Sequence, residues 1–239
     1  MKIKEFNGIK LLDGINTYPG SGPAESSYYN TEISALNQVL ARIETDSPVM
    51  IEVGCFWALW SLMFRKAHPK GKNILIELGK RQLDVGETNF RLNEYDFSSY
   101  WGGLFLEQSG TYQNKDADLE YLKEDGEHWN DEISGETCGP ELDFSEIYAQ
   151  ENLDVIDLFH MDIQGSELNL CKQLQKMSLL QPDRIKNLII ATHSREIHRE
   201  IQVLLDNAGY TLFKGAPVLG RPLTGHGQDG LIVVGNLGE

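Results

Sequence analysis

Short apolar runs alternate along most of this chain with segments in which apolar residues recur at helical spacing. Five apolar runs have the length and composition of buried strands: 49–53, 73–77, 99–106, 155–162 and 186–192. The segments beside them predict helices over 31–43, 58–67, 80–93, 166–176 and 197–208. Strands that alternate with helices indicate βαβ units and a parallel sheet.

Two further short strands are predicted near the end of the chain, at 210–213 and 231–234. The segment 215–230 between them is rich in proline and glycine and predicts no helix, so the two strands are expected to pair antiparallel as a hairpin. Five parallel strands and a terminal hairpin, with helices on both faces, resemble the order of a class I methyltransferase fold, which is Rossmann-like.

Two long segments interrupt this alternation. Residues 107–150 form a polar, acidic insertion, and residues 18–29 are turn-rich and end in two tyrosines. Long segments of this kind often shape ligand pockets, and neither carries a recognisable code. We therefore predict that 1–47 is an N-terminal extension with a helix packed on the core, and that 48–239 is the ligand-binding domain that carries the insertion.

Composition narrows the possible partners. A chain of 239 residues suits one α/β domain, and its formal net charge of −15 argues against nucleic acid or an anionic membrane as partner. No apolar run reaches membrane-spanning length. The three cysteines, at 55, 138 and 171, form no CxxC pair, so neither a disulfide framework nor a zinc site is indicated, and a reducing cytoplasm is expected. The sequence carries no signal for an oligomeric state.

The turn after the first strand is the first candidate for a ligand site. Gly54 follows 49–53, and ligands of open α/β sheets bind beyond the carboxyl ends of the strands. Glu52 lies near the end of this strand, and Glu77 ends the next one. A carboxylate at the second strand end accepts hydrogen bonds from a ribose diol. The two acids therefore favour a nucleoside ligand, with idle, solvated carboxylates as the alternative.

The residues after Gly54 favour a nucleoside without phosphate. A dinucleotide site needs several glycines so that the pyrophosphate can approach backbone amides. Here a single glycine is followed by bulky Phe56 and Trp57, and no P-loop lysine is present. S-adenosylmethionine carries ribose, adenine, a sulfonium cation and an amino acid but no phosphate, and Glu52 would help to offset its positive charge.

Asp162 and His193 end two adjacent inner strands and are the candidate catalytic residues. A hydroxyl acceptor must lose its proton during methyl transfer. Histidine has a suitable unperturbed pKa of about 6.5, and Asp162 could orient either His193 or the acceptor. Purely structural roles for both residues are the alternative. A metal held by Asp162, Glu167 and His193 would match no known ligand motif, so no metal is predicted.

Several segments resemble FkbM-type methyltransferases. The segment 51–64 resembles the first motif of that family, and 158–167 is the most specific match; weaker likenesses lie at 77–93, 191–194 and 229–233. The resemblance implies S-adenosylmethionine as donor and O-methylation of a hydroxyl on a small molecule or glycan. It also implies donor contacts from seven residues: Glu52, Gly54, Phe56, Ser61, Glu77, Leu78 and Asp162.

Two positions depart from the family pattern. Members commonly have asparagine and glycine where this chain has Phe56 and Ala58. A left-handed backbone at Ala58 would cost about 1–2 kcal/mol, whereas a helical one would cost nothing. These departures keep a second hypothesis open, a methyltransferase-like protein that binds a partner or metabolite without catalysis. A nucleotide-linked oxidoreductase is a third.

Overall fold

The computed structural model describes residues 3–12, 25–104, 139–163, 165–216 and 230–235. The strands are β1 (Ile3–Phe6), β2 (Ile9–Leu12), β3 (Val49–Val53), β4 (Lys72–Glu77), β5 (Ser98–Trp101), β6 (Gly103–Leu104), β7 (Glu141–Leu142), β8 (Leu158–Met161), β9 (Asn187–Thr192), β10 (Thr211–Ala216) and β11 (Gly230–Gly235). The helices are α1 (Glu25–Leu40), α2 (Leu59–Ala67), α3 (Lys80–Leu92), α4 (Phe144–Gln150), α5 (Glu167–Lys176) and α6 (Arg195–Asn207).

A seven-stranded sheet in the order β10-β11-β9-β8-β3-β4-β5 forms the centre of the protein. The strands from β9 to β5 pair in parallel, and β11 is antiparallel to both of its neighbours. This order confirms the predicted class I methyltransferase fold and its terminal hairpin. Strand order reverses between β3 and β8, which places the switch point of the sheet at the end of β3.

Side chains on successive positions of β3 enter opposite faces of the sheet, as the strand period requires. Met50 joins a hydrophobic cluster with α1, α2 and α3, whereas Ile51 joins a second cluster with α4, α5 and α6. Both residues are fully buried. The sheet is therefore covered by helices on both faces, which explains why its inner strands read as continuous apolar runs.

The predicted insertion at 107–150 contains regular structure at its end. Its residues up to 138 lie outside the described part, but its end folds into β7 and α4. Phe144 and Ile147 are buried in the core, and Asp143 caps the helix by accepting a hydrogen bond from the Ser145 amide. Their spacing of three is helical, and the acidic residues around them concealed it.

The N-terminal region also differs from the prediction. Helix α1 begins at Glu25 rather than at the predicted residue 31, so the two tyrosines that end the turn-rich segment, Tyr28 and Tyr29, belong to a helix. Residues 13–24 lie outside the described part. The β1–β2 hairpin was not predicted, although Asn7 and Gly8 form an Asn-Gly turn with positive φ at both positions. That pair is the strongest short hairpin signal in a sequence.

Within the described ranges, no helix combines the length and the apolar character needed to cross a membrane.

The end of β3 meets the end of β8 at Gly54. A Cβ atom on Gly54 would lie 1.9 Å from the carbonyl oxygen of Asp162, and the glycine has a φ of +72°. The amides of Gly54 and Cys55 both donate to the carbonyl of Ile76 at the end of β4. Glycine is thus required here because the backbone of β8, rather than a ligand, lies against it.

We expect Gly54→Ala to lower the free energy of unfolding by more than about 3 kcal/mol, because overlap with Asp162 adds to the cost of a left-handed alanine. Gly209→Ala is a matched control, since Gly209 has a φ of +86° with nothing within 4 Å of its Cβ position. The control should lose only about 1–2 kcal/mol in urea denaturation. Equal losses in the two variants would show that the contact with Asp162 is unimportant.

Candidate functional site

The turn that links β3 to α2 contains two non-glycine residues with left-handed backbone. Phe56 has a φ of 49° and Ala58 a φ of 60°. Of the two possibilities open for position 58, the strained one therefore holds, at a cost of about 1–2 kcal/mol. Phe56 is 36% exposed and stacks on Trp57 with 4.2 Å between ring centroids. The aromatic pair thus covers this part of the turn.

Asn89 of α3 holds the strained turn in place. Its side-chain amide donates to the carbonyl oxygen of Trp57 at 3.1 Å, and its carbonyl accepts from the Leu12 amide of β2 at 2.8 Å. Asn89 is fully buried, so an unmatched partner group would cost about 1–3 kcal/mol. One side chain therefore connects the N-terminal hairpin to the candidate ligand turn.

Glu77 ends β4 and faces the same turn. One carboxylate oxygen accepts from the Phe56 amide at 2.8 Å and the other from the Gly79 amide at 2.9 Å. Burial raises the pKa of Glu77, and these hydrogen bonds oppose the shift. The next residue, Leu78, is half-buried, and its carbonyl oxygen accepts from Trp101 and from Gly139. The structure thus gathers Phe56, Glu77 and Leu78 beside Gly54, where a ligand of the switch point would bind.

Glu52 and Ser61 lie away from this edge. Both are essentially unexposed, and the Ser61 amide donates to the Glu52 carboxylate at 3.0 Å. Burial raises the pKa of Glu52 to about 7, although His160 and Ser61 oppose the shift. Because β3 directs the Glu52 side chain into the α1–α2 face, the predicted contacts of Glu52 and Ser61 with a donor have no direct route in this structure.

Asp162, His193 and Glu167 form a compact row at the ends of β8 and β9. The Nε2 atom of His193 lies 3.3 Å from Asp162 Oδ1, and its Nδ1 atom lies 2.8 Å from Glu167 Oε1. Both ring nitrogens face carboxylate oxygens, so the two contacts are attractive together only when both nitrogens carry hydrogen. The geometry therefore favours an imidazolium.

Charges in this row support the same protonation state. Burial alone would lower the pKa of His193, but the hydrogen bonds and charges of Asp162 and Glu167 outweigh it and raise the pKa to about 11. Burial alone would raise the pKa of Asp162, but His193 and the charge of His160 lower it. His193 is therefore a doubly protonated imidazolium at neutral pH and is poorly suited to the role of general base that we predicted for it.

Glu167 is a functional candidate that we considered from the sequence only as a metal ligand. It is fully buried, and its carboxylate also accepts from the amides of Ile163 and Gly165. The ligand atoms of Asp162, Glu167 and His193 lie within 4.8 Å of one another. The His193 ring lies between the two carboxylates and donates to both, so hydrogen bonds account for this arrangement without a metal ion. That no metal binds here stays a prediction.

Opposite charge states of two histidines can be read in one experiment. In ¹⁵N-detected NMR, His193 should keep the imidazolium signature between about pH 5 and 9, whereas His198, whose pKa is lowered by burial, should be neutral above about pH 6.5. The stability difference between wild type and His193→Asn should be greatest below about pH 6.5 and shrink as the pH rises toward 11. A titration of His193 near pH 6.5 would show that Asp162 and Glu167 do not stabilise its imidazolium form.

Sequence comparison matches this chain to methyltransferases. The family model of the methyltransferase FkbM domain matches residues 36–212. A protein of Jannaschia sp. (strain CCS1) that is provisionally named a methyltransferase is 27% identical over an alignment of 206 residues, and the match covers 77% of this chain and 71% of that protein.

Solved structures of methyltransferases align with most of this chain at low sequence identity. M. capricolum TrmK, in complex with its natural cofactor product S-adenosyl-homocysteine, has a TM-score of 0.44 and 14% identity, over 84% of this chain and 66% of TrmK. A human methyltransferase 10 domain containing protein has a TM-score of 0.49 and 12% identity, over 97% of this chain and 90% of that chain. The present chain thus spans just under two thirds of TrmK.

Proposed function

The chain belongs to the FkbM methyltransferase family, and we propose that it transfers a methyl group from S-adenosylmethionine to a hydroxyl oxygen of a small molecule or glycan. One observation carries the proposal. Gly54 at the switch point lies against Asp162, and the adjoining turn is bound to Glu77 through the Phe56 amide. Two carboxylates therefore flank the edge where ligands of such sheets bind.

The chemistry of this edge suits a cationic nucleoside. The Phe56 amide, which a phosphate would need, already donates to Glu77. Glu77 and Asp162 are close enough for the charge of Asp162 to raise the pKa of Glu77 further, so both would repel a pyrophosphate. Each Glu77 oxygen keeps a second lone pair that can accept from a ribose hydroxyl. S-adenosylmethionine, when bound, supplies a methyl group activated by a positively charged sulfur.

Asp162 is the better candidate for the proton acceptor. Its side chain is 32% exposed, whereas His193 is 13% exposed and donates to Asp162 and Glu167. A hydroxyl oxygen becomes strongly acidic as it gains a methyl group, so even a carboxylate with a low pKa can take its proton. In this scheme His193 and Glu167 hold Asp162 in position, and Asp162 contacts the acceptor.

Donor binding is tested by isothermal titration with S-adenosylmethionine and S-adenosylhomocysteine. We expect both to bind, and Glu77→Gln to weaken binding about tenfold or more because a charge-assisted hydrogen bond to ribose is lost. Asp84→Asn is the control, since Asp84 is exposed on α3 and pairs with Lys80. Absence of binding to the wild type at millimolar ligand would refute the proposed donor.

Turnover separates the two catalytic candidates. With methyl-¹³C donor and a panel of hydroxyl acceptors, Asp162→Asn should lower kcat by about 10²–10⁴-fold, as expected when a general base is lost. His193→Gln should lower kcat less, because it only disturbs the position of Asp162. The carbon chemical shift of the product distinguishes a methoxy group from an N-methyl group. A wild-type rate that declines below about pH 6.5, with no such decline in His193→Gln, would restore His193 as the base.

The same panel tests the alternative of a binding protein without catalysis. The strained residues Phe56 and Ala58, which replace the family's usual asparagine and glycine, favour that alternative. Donor binding without product from any acceptor would support it.

We also propose that residues 48–239 carry the donor site, and that the protein acts in the cytoplasm. The buried free thiols of Cys55 and Cys171 are compatible with a reducing compartment.

A further inference from the structure

A second row of ionisable groups lies beneath the candidate donor turn. The Nε2 atom of His160 lies 3.0 Å from Glu32 Oε1, and its Nδ1 atom lies 4.0 Å from Glu52 Oε1. The three side chains are between 1% and 3% exposed. They come from α1, β8 and β3, so the row runs across one face of the sheet from the N-terminal helix to the strand that ends at Gly54.

Glu52 connects this row to the donor turn. Its Oε2 atom accepts from the Ser61 amide in the first turn of α2, the helix that follows Phe56 and Ala58. Glu52 and His160 are register partners on neighbouring strands. The adjacent helix residue Trp60 places its ring 6.2 Å from the His160 ring. Displacement of His160 would therefore reach the start of α2 through Glu52 and through Trp60.

The row is closed at one end and open at the other. His160 Nε2 is hydrogen-bonded to Glu32, but His160 Nδ1 is buried and has no hydrogen-bond partner among the described residues. A buried polar atom without a partner is unfavourable. The Glu52 oxygen at 4.0 Å is about 1 Å beyond hydrogen-bond distance, so a small shift of the first turn of α2 would close the row.

We propose that Glu32 and His160 are positioning residues for donor binding, which close onto Glu52 and fix the first turn of α2 when the donor occupies the Gly54 turn. The proposal rests on the proposed function, since it requires a donor at that turn. Closure joins His160 and Glu52 in a charge-assisted hydrogen bond, which needs Glu52 as a carboxylate and His160 with a proton on Nδ1. The donor thereby binds more tightly to the closed row than to the open one.

Closure has a consequence for protons. Burial holds the pKa of Glu52 at about 7, while the pKa of His160, which burial alone would lower, is raised by Glu32, Glu52 and Asp162. The charged groups that face this pair are Glu32 from α1 and Asp162 after β8; burial keeps the nearby Cys55 thiol protonated. The raised pKa of His160 and its contact with Glu32 favour an imidazolium, which cannot take a proton from Glu52. On closure, the protonated fraction of Glu52 therefore releases its proton to solvent.

Isothermal titration of the full chain with S-adenosylhomocysteine, in two buffers of different ionisation enthalpy, measures this proton. The wild type should release a fraction of one proton near pH 7 and almost none by about pH 9, where Glu52 is already ionised. Glu52→Gln should abolish the release. Glu32→Gln and His160→Gln should weaken binding about fivefold or more, a typical coupling, while kcat at saturating donor changes less than about twofold.

His198→Gln is the matched control, because His198 is another buried histidine, bonds to Thr192, and lies on α6, which covers the face of the sheet opposite to His160. It should change neither the affinity nor the proton count. Should a variant fail to fold, as circular dichroism would show, the wild-type proton count at several pH values still decides. Binding without proton release near pH 7, or with unchanged affinity in folded Glu32→Gln and His160→Gln, overturns the inference alone. Absence of any binding overturns the proposed function as well.

Discussion

The close approach of the Gly54 backbone to the carbonyl of Asp162 is the contact on which the rest of the site depends. It joins the end of β3 to the end of β8, and the hydrogen bonds from Gly54 and Cys55 to Ile76 add the end of β4. Three strand ends therefore meet within one turn. Glu77 and Asp162 face the same edge as a result, even though 85 residues of sequence separate them.

Burial of charge is the second constraint, and both histidine rows meet it in the same way. A buried carboxylate is costly unless a proton or a cation accompanies it. In this acidic chain, His193 lies between Asp162 and Glu167, and His160 lies between Glu32 and Glu52. The two rows interact through β8, since the charge of His160 helps to lower the pKa of Asp162. Asp162 is thus held by its backbone contact with Gly54 and is also stabilised as a carboxylate by the charge of His160.

Apolar periodicity was sufficient to predict the sheet, because strands buried on both faces are continuous in the sequence. Strand ends were sufficient to predict Gly54, Glu77, Asp162 and His193 as neighbours of one edge. Glu52 was assigned to the donor because a strand end does not reveal which face a penultimate residue enters. Its neighbour Ser61, on a helix, was assigned on resemblance alone. The helix α4 was missed because its two buried residues lie in an acidic context.

The charge state of His193 is a property that no sequence pattern carries. It depends on distances of 2.8 and 3.3 Å to two carboxylates, one of which follows β8 by only a few residues while the ring comes from β9. A histidine alone at a strand end is expected to be neutral near pH 7 and able to act as a base. A histidine between two carboxylates is expected to be an imidazolium, as His193 is here. The sequence also does not show that the Asp162 side chain is accessible whereas that of Glu167 is buried.

A crystal structure of the protein with bound S-adenosylhomocysteine would show whether the donor lies at the Gly54 turn. We expect ribose hydroxyls within hydrogen-bond distance of Glu77, the homocysteine chain over the Gly54 turn, and the sulfur atom directed toward Asp162. A ligand bound elsewhere, or a ribose that makes no contact with Glu77, would contradict it.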